Sequence, residues 1–392
     1  MIIGVPAESD RTDRRVAIVP AVISALQRTG AEVLVEPGAG AGAGFSDEAY
    51  EQADAKVAEG REHVFSSSDI LVRVHGLGRD GDDLAALREN QVLIGLLNPL
   101  GKPEGATALA EKGVTSFALE LLPRISRAQS MDALTSMATV AGYKAVLLAA
   151  GTVNKMYPLL MTAAGTVTPA RVFVLGAGVA GLQAIATANR LGAVVQAYDI
   201  RPAVKEQVES LGARFVELPL EAENAEDSGG YAQAMDEDFY RRQRELIADV
   251  VSQSDVVIST ALVPGRPAPL LVTEEAVHRM RPGAIIVDLA AETGGNCALT
   301  APGETIEVNG VTIAGPTELA ASIPGDASSM YARNITAFLG GLVKDGEIDI
   351  NLEDEVLRGT LLTRGGEVVN ERIRELLGSP QASAAGTDSE QE

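Results

Sequence analysis

The chain has 392 residues, 46% of them hydrophobic, and its 54 acidic and 32 basic residues give a formal net charge of −22. This length is sufficient for two domains with full cores, and the charge argues against binding to nucleic acid or to an anionic membrane surface. The single cysteine, Cys297, excludes a disulfide framework and a thiolate metal site, and the three histidines show no ligand spacing, so we expect no metal.

The first 120 residues alternate short apolar runs with helical patterns. Nothing at the N-terminus resembles a signal peptide, and no uninterrupted apolar run reaches the roughly 18 residues of a membrane span, so we expect a cytoplasmic protein without direct membrane insertion. Strands separated by helices indicate a parallel sheet that is covered on both faces. The predicted strands are Ile2–Pro6, Ala31–Glu36, Ile70–His75, Val92–Leu97 and Thr115–Leu121, and the predicted helices are Pro20–Arg28, Asp82–Glu89 and Lys102–Lys112.

A polar stretch, Pro123 to Thr135, follows the last of these strands and precedes a helical pattern that runs from Met131 to about Tyr157. Taken alone, this stretch is explained by helix capping from Ser126 or Ser130 and an exposed Arg–Asp pair. Its position at a hinge between two domains, facing the cleft, also makes it a candidate site. Both interpretations stay open on the residues alone.

The next segment, Arg171 to Asp199, has the pattern of one βαβ unit with a glycine fingerprint in its first turn. An apolar strand leads into GAGVAG (residues 176–181), an Ala-rich helix follows to about Arg190, and a second apolar run, Val194 to Tyr198, ends at Asp199. A richer glycine run, Gly38 to Gly44, has no such spacing and precedes no apolar helix, so we interpret it as a loop.

Each residue type in this unit has a physical reason. Gly176 permits the tight turn, Gly178 allows the backbone to approach a pyrophosphate, and Gly181 lets the helix pack close to the strand. The N–H groups of the first helical turn form an anion site. Asp199 lies where a carboxylate would accept a hydrogen bond from a ribose hydroxyl and repel a 2′-phosphate, which favours NAD over NADP.

Further strands are predicted after this unit, at Arg214–Leu218, Val256–Thr260, Ala284–Leu289 and Val311–Gly315. A helix from Ala327 to Val343 and the segment up to Leu377 carry no cofactor signature, and we expect them to return and complete the first domain. Glu221 to Asp238 has the composition of a surface loop, and the tail, residues 379–392, that of a disordered segment.

These elements predict an α/β protein with two Rossmann-like, doubly wound parallel-sheet domains and a cofactor cleft between them. The first domain is discontinuous and comprises residues 1–130 and 318–378. The second, residues 131–317, is the NAD(H)-binding domain.

Many separate motifs of the chain resemble the NAD(H)-binding component, the alpha subunit, of proton-translocating nicotinamide nucleotide transhydrogenase. This family also includes alanine dehydrogenase, to which GVPAESDRTDRRVA (residues 4–17) is similar. The resemblance spans Met1 to about Leu377 and is carried by PRISRAQSMD, AGYKAV, MTAAGTVTPARV, GAGVAGLQAIATANRLGA, KEQVESLGA, TALVPGRPAP and VDLAAETGGN.

The resemblance implies a set of NAD(H)-binding residues. Arg124, Gln129 and Asp132 are assigned to the loop that holds the nicotinamide and its ribose, and are the candidate catalytic residues. Thr135 stands where transhydrogenases usually have serine, so a hydroxyl is kept. The implied cofactor-binding set also contains Ile125, Ser126, Arg127, Ser130, Met131, Gly176, Ala177, Gly178, Val179, Gly181, Asp199, Ile200, Arg201 and Leu262, with Gly230 and Tyr231 in a mobile loop that closes over the nucleotide.

The implied activity is direct hydride transfer between NADH on this chain and NADP⁺ on a partner, the beta subunit. Separate membrane subunits would couple the transfer to proton translocation and hold the chain at the inner face of the membrane. The family resemblance also implies a homodimer, to which a hairpin at Met161–Pro169 contributes. Transfer between two nicotinamides moves no proton to a base, so the site needs positioning groups only.

Two alternatives remain at this stage. In an alanine dehydrogenase a catalytic histidine would lie in the strand that corresponds to Ile94–Asn98, where this chain has none, and the substrate-binding lysine of that family appears as Arg73. Arg15 does match a carboxylate-binding arginine of that family, and His75 keeps an amino-acid dehydrogenase possible. The second alternative is a nucleotide sensor or scaffold without turnover.

Overall fold

The computed structural model describes residues 1–10, 12–76, 83–217, 237–263 and 265–378. The predicted surface loop, except for its last two residues, and the predicted disordered tail lie outside the described residues, and so do Gly230 and Tyr231. The chain divides into two compact units. Unit 1 comprises Met1–Met137 and the chain from Ala321 onwards, and unit 2 comprises Ala138–Ala320.

In the described residues the strands are β1 (Ile2–Val5), β2 (Glu32–Val35), β3 (Lys56–Val57), β4 (Ile70–His75), β5 (Val92–Leu96), β6 (Thr115–Ala118), β7 (Leu160–Thr162), β8 (Gly165–Val167), β9 (Arg171–Leu175), β10 (Val194–Tyr198), β11 (Arg214–Phe215), β12 (Val256–Ser259), β13 (Ile285–Asp288), β14 (Thr305–Val308), β15 (Val311–Ala314), β16 (Val343–Lys344), β17 (Glu347–Ile348), β18 (Leu361–Arg364) and β19 (Glu367–Val368). The α-helices are α1 (Ile23–Gln27), α2 (Asp47–Gln52), α3 (Arg61–Ser67), α4 (Glu104–Glu111), α5 (Ala133–Thr152), α6 (Val179–Arg190), α7 (Lys205–Ser210), α8 (Glu237–Ser252), α9 (Glu274–His278), α10 (Pro324–Leu342), α11 (Glu355–Thr360) and α12 (Glu371–Leu377).

Unit 1 contains an eight-stranded sheet in the order β19-β18-β6-β5-β4-β1-β2-β3. Its six N-terminal strands are parallel, and β18 pairs antiparallel with β6. The runs of buried apolar residues in β4 and β5 explain why these strands lie in the middle of the sheet. Because parallel strands end at one edge, the loops after β1, β4, β5 and β6 meet at the carboxyl edge of this sheet.

Unit 2 contains a seven-stranded sheet in the order β11-β10-β9-β12-β13-β15-β14, parallel except for β14. Residues of β9 alternate between two cores, with Val172 and Val174 in one and Phe173 and Leu175 in the other. The sheet is therefore buried on both faces, as the predicted doubly wound class requires. The strand order reverses beside β9, so the carboxyl end of β9 is the topological switch point, where ligands bind in such folds.

One predicted helix is wrong. The described part of Asp82–Glu89 forms turns from Asp83 onwards, because tertiary contacts fix both ends. The Asp83 carboxylate is bound by Arg73 and Arg61, and Leu87 is buried in the core. The local apolar spacing was compatible with a helix, but these ion pairs and this burial override it.

The long helix α5 is the one described helix that is apolar and long enough to cross a membrane. Its composition has another explanation in unit 2. A Cβ on Gly142 would lie 2.1 Å from the carbonyl oxygen of Ala180, so α5 and α6 are in backbone contact there. Ala145, Val146 and Ala149 extend that contact into the core.

Candidate functional site

The predicted site residues fall into two sets, one in each unit. In unit 2 the glycine turn joins β9 to α6. Gly176 has φ +92°, a conformation that L side chains rarely adopt, and its N–H donates to the Tyr198 carbonyl at 2.8 Å. A Cβ on Gly181 would lie 1.9 Å from the carbonyl oxygen of Gly176. Both positions therefore require glycine for the reasons that the sequence predicted.

Gly178 differs from the other two glycines. It precedes α6 with φ −74° and ψ −168°, which any residue can adopt, and no described atom lies within 4 Å of the position of a Cβ. Neither strain nor crowding within the described chain calls for glycine there. An open approach beside the N-terminus of a 12-residue helix, whose first N–H groups have no partner within the helix, fits a pyrophosphate.

The Asp199 carboxylate is buried at the carboxyl end of β10 and accepts four hydrogen bonds. Oδ2 accepts from the Ala177 N–H at 2.7 Å and from Arg201 Nη2 at 2.9 Å. Oδ1 accepts from the Arg201 N–H and Nε, both at 2.9 Å. These bonds occupy the roughly four acceptor positions of a carboxylate. A ribose hydroxyl would therefore have to replace one of them, and the Arg201 side chain is the group that can move without disturbing the backbone.

A second buried carboxylate, Asp288, supports the loops beside the turn. At the end of β13 it accepts from the hydroxyls of Ser259 and Thr300 and from three backbone N–H groups, those of Ala290, Asn296 and Cys297, at 2.7–3.0 Å. The surrounding burial raises the pKa of the Cys297 thiol to about 11, which leaves the only cysteine unreactive at neutral pH.

Asn296 continues this network to the loop after β12. Its side-chain amide pairs with both the N–H and the carbonyl of Ala261, at 3.0 and 2.9 Å, and also donates to Pro269. This pairing fixes the backbone next to Leu262, whose side chain is exposed, as is that of Val179. Both residues belong to the predicted cofactor-binding set.

In unit 1 the other predicted set forms a 3-10 turn, Ser126–Met131, before α5. Arg124, Ser126, Arg127, Gln129, Ser130 and Thr135 are exposed, Ile125 and Asp132 are partly buried, and Met131 is buried. The turn is therefore anchored in the core through Ala128 and Met131. It presents its polar side chains outwards.

The capping interpretation of this stretch named the wrong residues. The helix begins at Ala133, and it is Asp132 that caps it by accepting from the Thr135 N–H at 2.8 Å and from the Thr135 hydroxyl at 2.6 Å. The hydroxyl of Thr135 is thus bonded to Asp132. Arg127 forms its ion pair with Asp354, 227 positions away, and not with a neighbouring aspartate.

The residues that could serve an amino-acid dehydrogenase are bound to one another. All three Arg15 nitrogens have partners: Asp13 binds Nε at 2.9 Å and Nη2 at 2.6 Å, His75 Nε2 lies 2.9 Å from Nη2, and Met137 Sδ accepts from Nη1 at 3.3 Å. Burial acts to raise the pKa of Asp13, but its hydrogen bonds with His75 and Arg15 outweigh this and hold the pKa well below its usual range.

Arg73 is fully buried, and it is likewise bound within the protein. Its Nη1 pairs with Asp83 and its Nη2 donates to Ser9 Oγ at 2.9 Å, with Glu8 at 3.6 Å. In the described residues only its Nε has no partner. The arginine that replaces the family's substrate-binding lysine is therefore part of an internal ion network.

Sequence reasoning missed several contributors to these sites. Asp288 and Asn296 lie in VDLAAETGGN, which was recognised as a motif without a role. Asn334, which donates to the Ser130 carbonyl at 2.9 Å, and Asp354 are 204 and 227 positions from their partners. No local pattern signals such contacts.

The fold and the glycine turn define a dinucleotide-binding α/β protein. Comparison with known families gives matches to the alanine dehydrogenase/PNT N-terminal domain over residues 4–141 and to the alanine dehydrogenase/PNT C-terminal domain over residues 145–371. The chain belongs to the alanine dehydrogenase/PNT family, which confirms the resemblance inferred from the motifs.

Individual relatives separate the two branches of this family. The first of the polypeptides that make up NAD(P) transhydrogenase subunit alpha in Rhodospirillum rubrum is 46% identical over 376 residues, which are 94% of this chain and 98% of that protein. A crystal structure of transhydrogenase from Sinorhizobium meliloti is similar with a TM-score of 0.85 and 44% identity, covering 94% of this chain and 100% of that one. Alanine dehydrogenase of Bacillus subtilis is 31% identical over 96% of this chain and 95% of that protein. The comparisons thus support NAD(P) transhydrogenase over alanine dehydrogenase.

Proposed function

We propose that this chain binds NAD(H) and exchanges hydride directly with NADP(H) held by a partner subunit. Two features of the structure support NAD(H) as the nucleotide: the glycine turn at the switch point of unit 2, and a carboxylate at the end of the neighbouring strand. The names of the relatives support the reaction, because a transhydrogenase connects the NAD(H) and NADP(H) pools.

We assign the roles as follows. The Gly176–Gly181 turn, including the backbone at Ala177, Gly178 and Val179, binds the pyrophosphate at the N-terminus of α6. Asp199, Ile200 and Arg201 bind the adenosine end, and the Asp199 carboxylate disfavours a 2′-phosphate. Leu262 contacts the nucleotide from the loop that Asn296 supports. Gly230 and Tyr231 are proposed to close over the bound nucleotide.

The unit 1 loop serves the nicotinamide end of the same dinucleotide. Bound NADH supplies the hydride. The task of the protein is to fix the ring, with Gln129 and Arg124 on its polar groups and Asp132 held by Thr135. None of these side chains has to exchange a proton during transfer, because hydride passage between two nicotinamides releases none.

A single observation carries the choice between the two enzymes. Arg15 and Arg73, the groups that would bind a carboxylate substrate, already donate to Asp13, Asp83 and Ser9 inside unit 1. Breaking a buried, hydrogen-bonded ion pair to bind a small acid costs on the order of 3–5 kcal/mol. Amino-acid oxidation is therefore the less favourable use of this site.

We further propose that the chain is a homodimer that works with other subunits. The hairpin β7–β8 extends from unit 2 with Met161 78% exposed, and an isolated two-stranded hairpin is marginally stable in water, so a second copy is the natural cover. The subunit names of the relatives support a beta subunit and membrane subunits coupled to proton translocation. This chain would then be a cytoplasmic protein, peripheral to the inner face of the membrane.

Stopped-flow mixing of the purified chain with NADH and a purified NADP(H)-binding transhydrogenase subunit tests the proposal. Hydride exchange without any added amino acid or keto acid is expected. Oxidation of NADH that requires pyruvate and ammonia, which is the reverse reaction of an alanine dehydrogenase, would instead establish that enzyme. Binding of NADH with neither reaction would establish a sensor.

A further inference from the structure

The unit 1 loop is held from beneath by a helix that comes from the far end of the chain. Asn334 lies in α10, is 7% exposed, and its Nδ2 donates to the Ser130 carbonyl at 2.9 Å. That carbonyl lies beyond the last internal bond of the turn, which joins the Asp132 N–H to the Gln129 carbonyl. The Ser130 carbonyl is thus one of the acceptors that the end of a helical turn leaves without an internal partner.

This bond has a direct geometric consequence for the loop. Fixing the Ser130 carbonyl fixes the plane of the peptide that joins Ser130 to Met131, because a peptide unit is rigid. Gln129 and Asp132 flank this peptide on its two sides. The directions of both side chains therefore depend on the one buried amide of Asn334.

The other atom of the same amide shows that stability alone does not account for an asparagine here. Asn334 Oδ1 is buried and has no partner among the described residues. A buried acceptor without a hydrogen bond is unfavourable, and replacing a polar group by an apolar one of the same shape can be neutral or stabilising. A leucine would fill this volume without the unpartnered oxygen, but it could not bind the Ser130 carbonyl.

We propose that Asn334 is a positioning residue for hydride transfer, acting through Ser130 on the loop that carries Gln129 and Asp132. The proposal rests on the proposed function of that loop. It predicts that loss of the Asn334 donor misplaces the nicotinamide while the adenosine end of the nucleotide, bound by unit 2, keeps most of the affinity. Small misplacements of a reacting group are costly, so a fall in the transfer rate on the order of ten-fold is expected.

The test compares Asn334→Leu with the wild type and with Asn370→Ala. Asn370 is a matched control in unit 1: its amide also donates to a backbone carbonyl, that of Gly359, and caps α12, away from the loop. For each variant the single-turnover rate constant with the NADP(H)-binding subunit, the Kd for NADH, the thermal midpoint and hydrogen exchange of residues 126–132 are measured.

Asn334→Leu is expected to transfer hydride about ten-fold more slowly, to exchange loop amides faster, and to bind NADH within about two-fold of the wild type. Asn370→Ala is expected to lose thermal stability and keep the wild-type rate. A folded Asn334→Leu variant with the wild-type rate and exchange overturns the inference. If that variant does not fold, Asn334→Ala, which adds no bulk, is judged by the same criteria. A wild-type chain that transfers no hydride refutes the proposed function itself, and this inference with it.

Discussion

Two substitutions of the same kind, in the same turn, should have opposite effects. Gly181→Ala places a methyl group 1.9 Å from the carbonyl oxygen of Gly176, where ordinary contact begins at 3.4 Å. The atom in the way is backbone, so the turn itself must move. Gly178→Ala places its methyl where no described atom lies within 4 Å, at a φ of −74° that alanine accepts.

The magnitudes follow from these distances. Overpacking of a tight site costs roughly 1–3 kcal/mol, and the 1.9 Å contact puts Gly181→Ala at or above the upper end of that range. Gly178→Ala should change the free energy of unfolding by less than about 1 kcal/mol, and any change should be towards stability, since alanine restricts the unfolded chain. Its methyl group lies on the side where we propose that the pyrophosphate approaches, so NADH affinity should fall at least about ten-fold.

Urea unfolding and calorimetric titration with NADH measure both quantities on the same samples. The expected outcome is a stability loss in Gly181→Ala and an affinity loss without a stability loss in Gly178→Ala. Wild-type NADH affinity in Gly178→Ala would refute the assignment of this turn to the pyrophosphate. Wild-type stability in Gly181→Ala would refute the contact from which the magnitude was calculated.

Four other changes test the remaining assignments. Asp199→Ala should weaken NADH binding by about 1–3 kcal/mol, with exposed Asp249→Ala as control, and unchanged calorimetric affinity would contradict the ribose role. Gln129→Asn should slow single-turnover transfer more than it raises the Kd for NADH; a loss confined to affinity would count against positioning. Because hydrogen bonds with His75 and Arg15 lower the pKa of Asp13, its contribution to stability is present above its ordinary pKa of 3.8 and is lost as the pH falls towards the folded value; urea unfolding between about pH 5 and about pH 2 should be less pH-dependent in Asp13→Asn. Met161→Glu should convert the proposed dimer to monomers in light scattering, and an unchanged mass would refute the hairpin contact.

The sequence predicted the parts of the molecule that depend on neighbouring residues. The strand, turn, helix and strand from Arg171 to Asp199 were found with nearly the observed bounds, because strand and helix periodicities and glycine spacing are local properties. Asp199 was correctly placed at the end of β10. Its occupation by Arg201 could not be predicted, because it depends on side-chain directions that no spacing encodes.

Contacts between distant residues account for most of what was missed. The false helix after Asp82 results from ion pairs of Asp83 with residues that precede it by 10 and 22 positions. The supports of the nicotinamide loop, Asn334 and Asp354, come from a segment in which no cofactor signature was visible. A residue that acts on a site through a backbone carbonyl leaves no motif, since the partner can be any amino acid.

The discontinuity of unit 1 sets an order of events during synthesis. β6 is buried along its whole length, and its outer edge pairs with β18, where Ser116 and Thr363 share a buried hydroxyl contact of 2.6 Å. The ribosome must complete all of unit 2 before residues 361–364 appear. Throughout that interval β6 presents an open edge to other nascent chains, which is a recognised aggregation hazard, and a chaperone that shields this edge would improve the yield of folded protein.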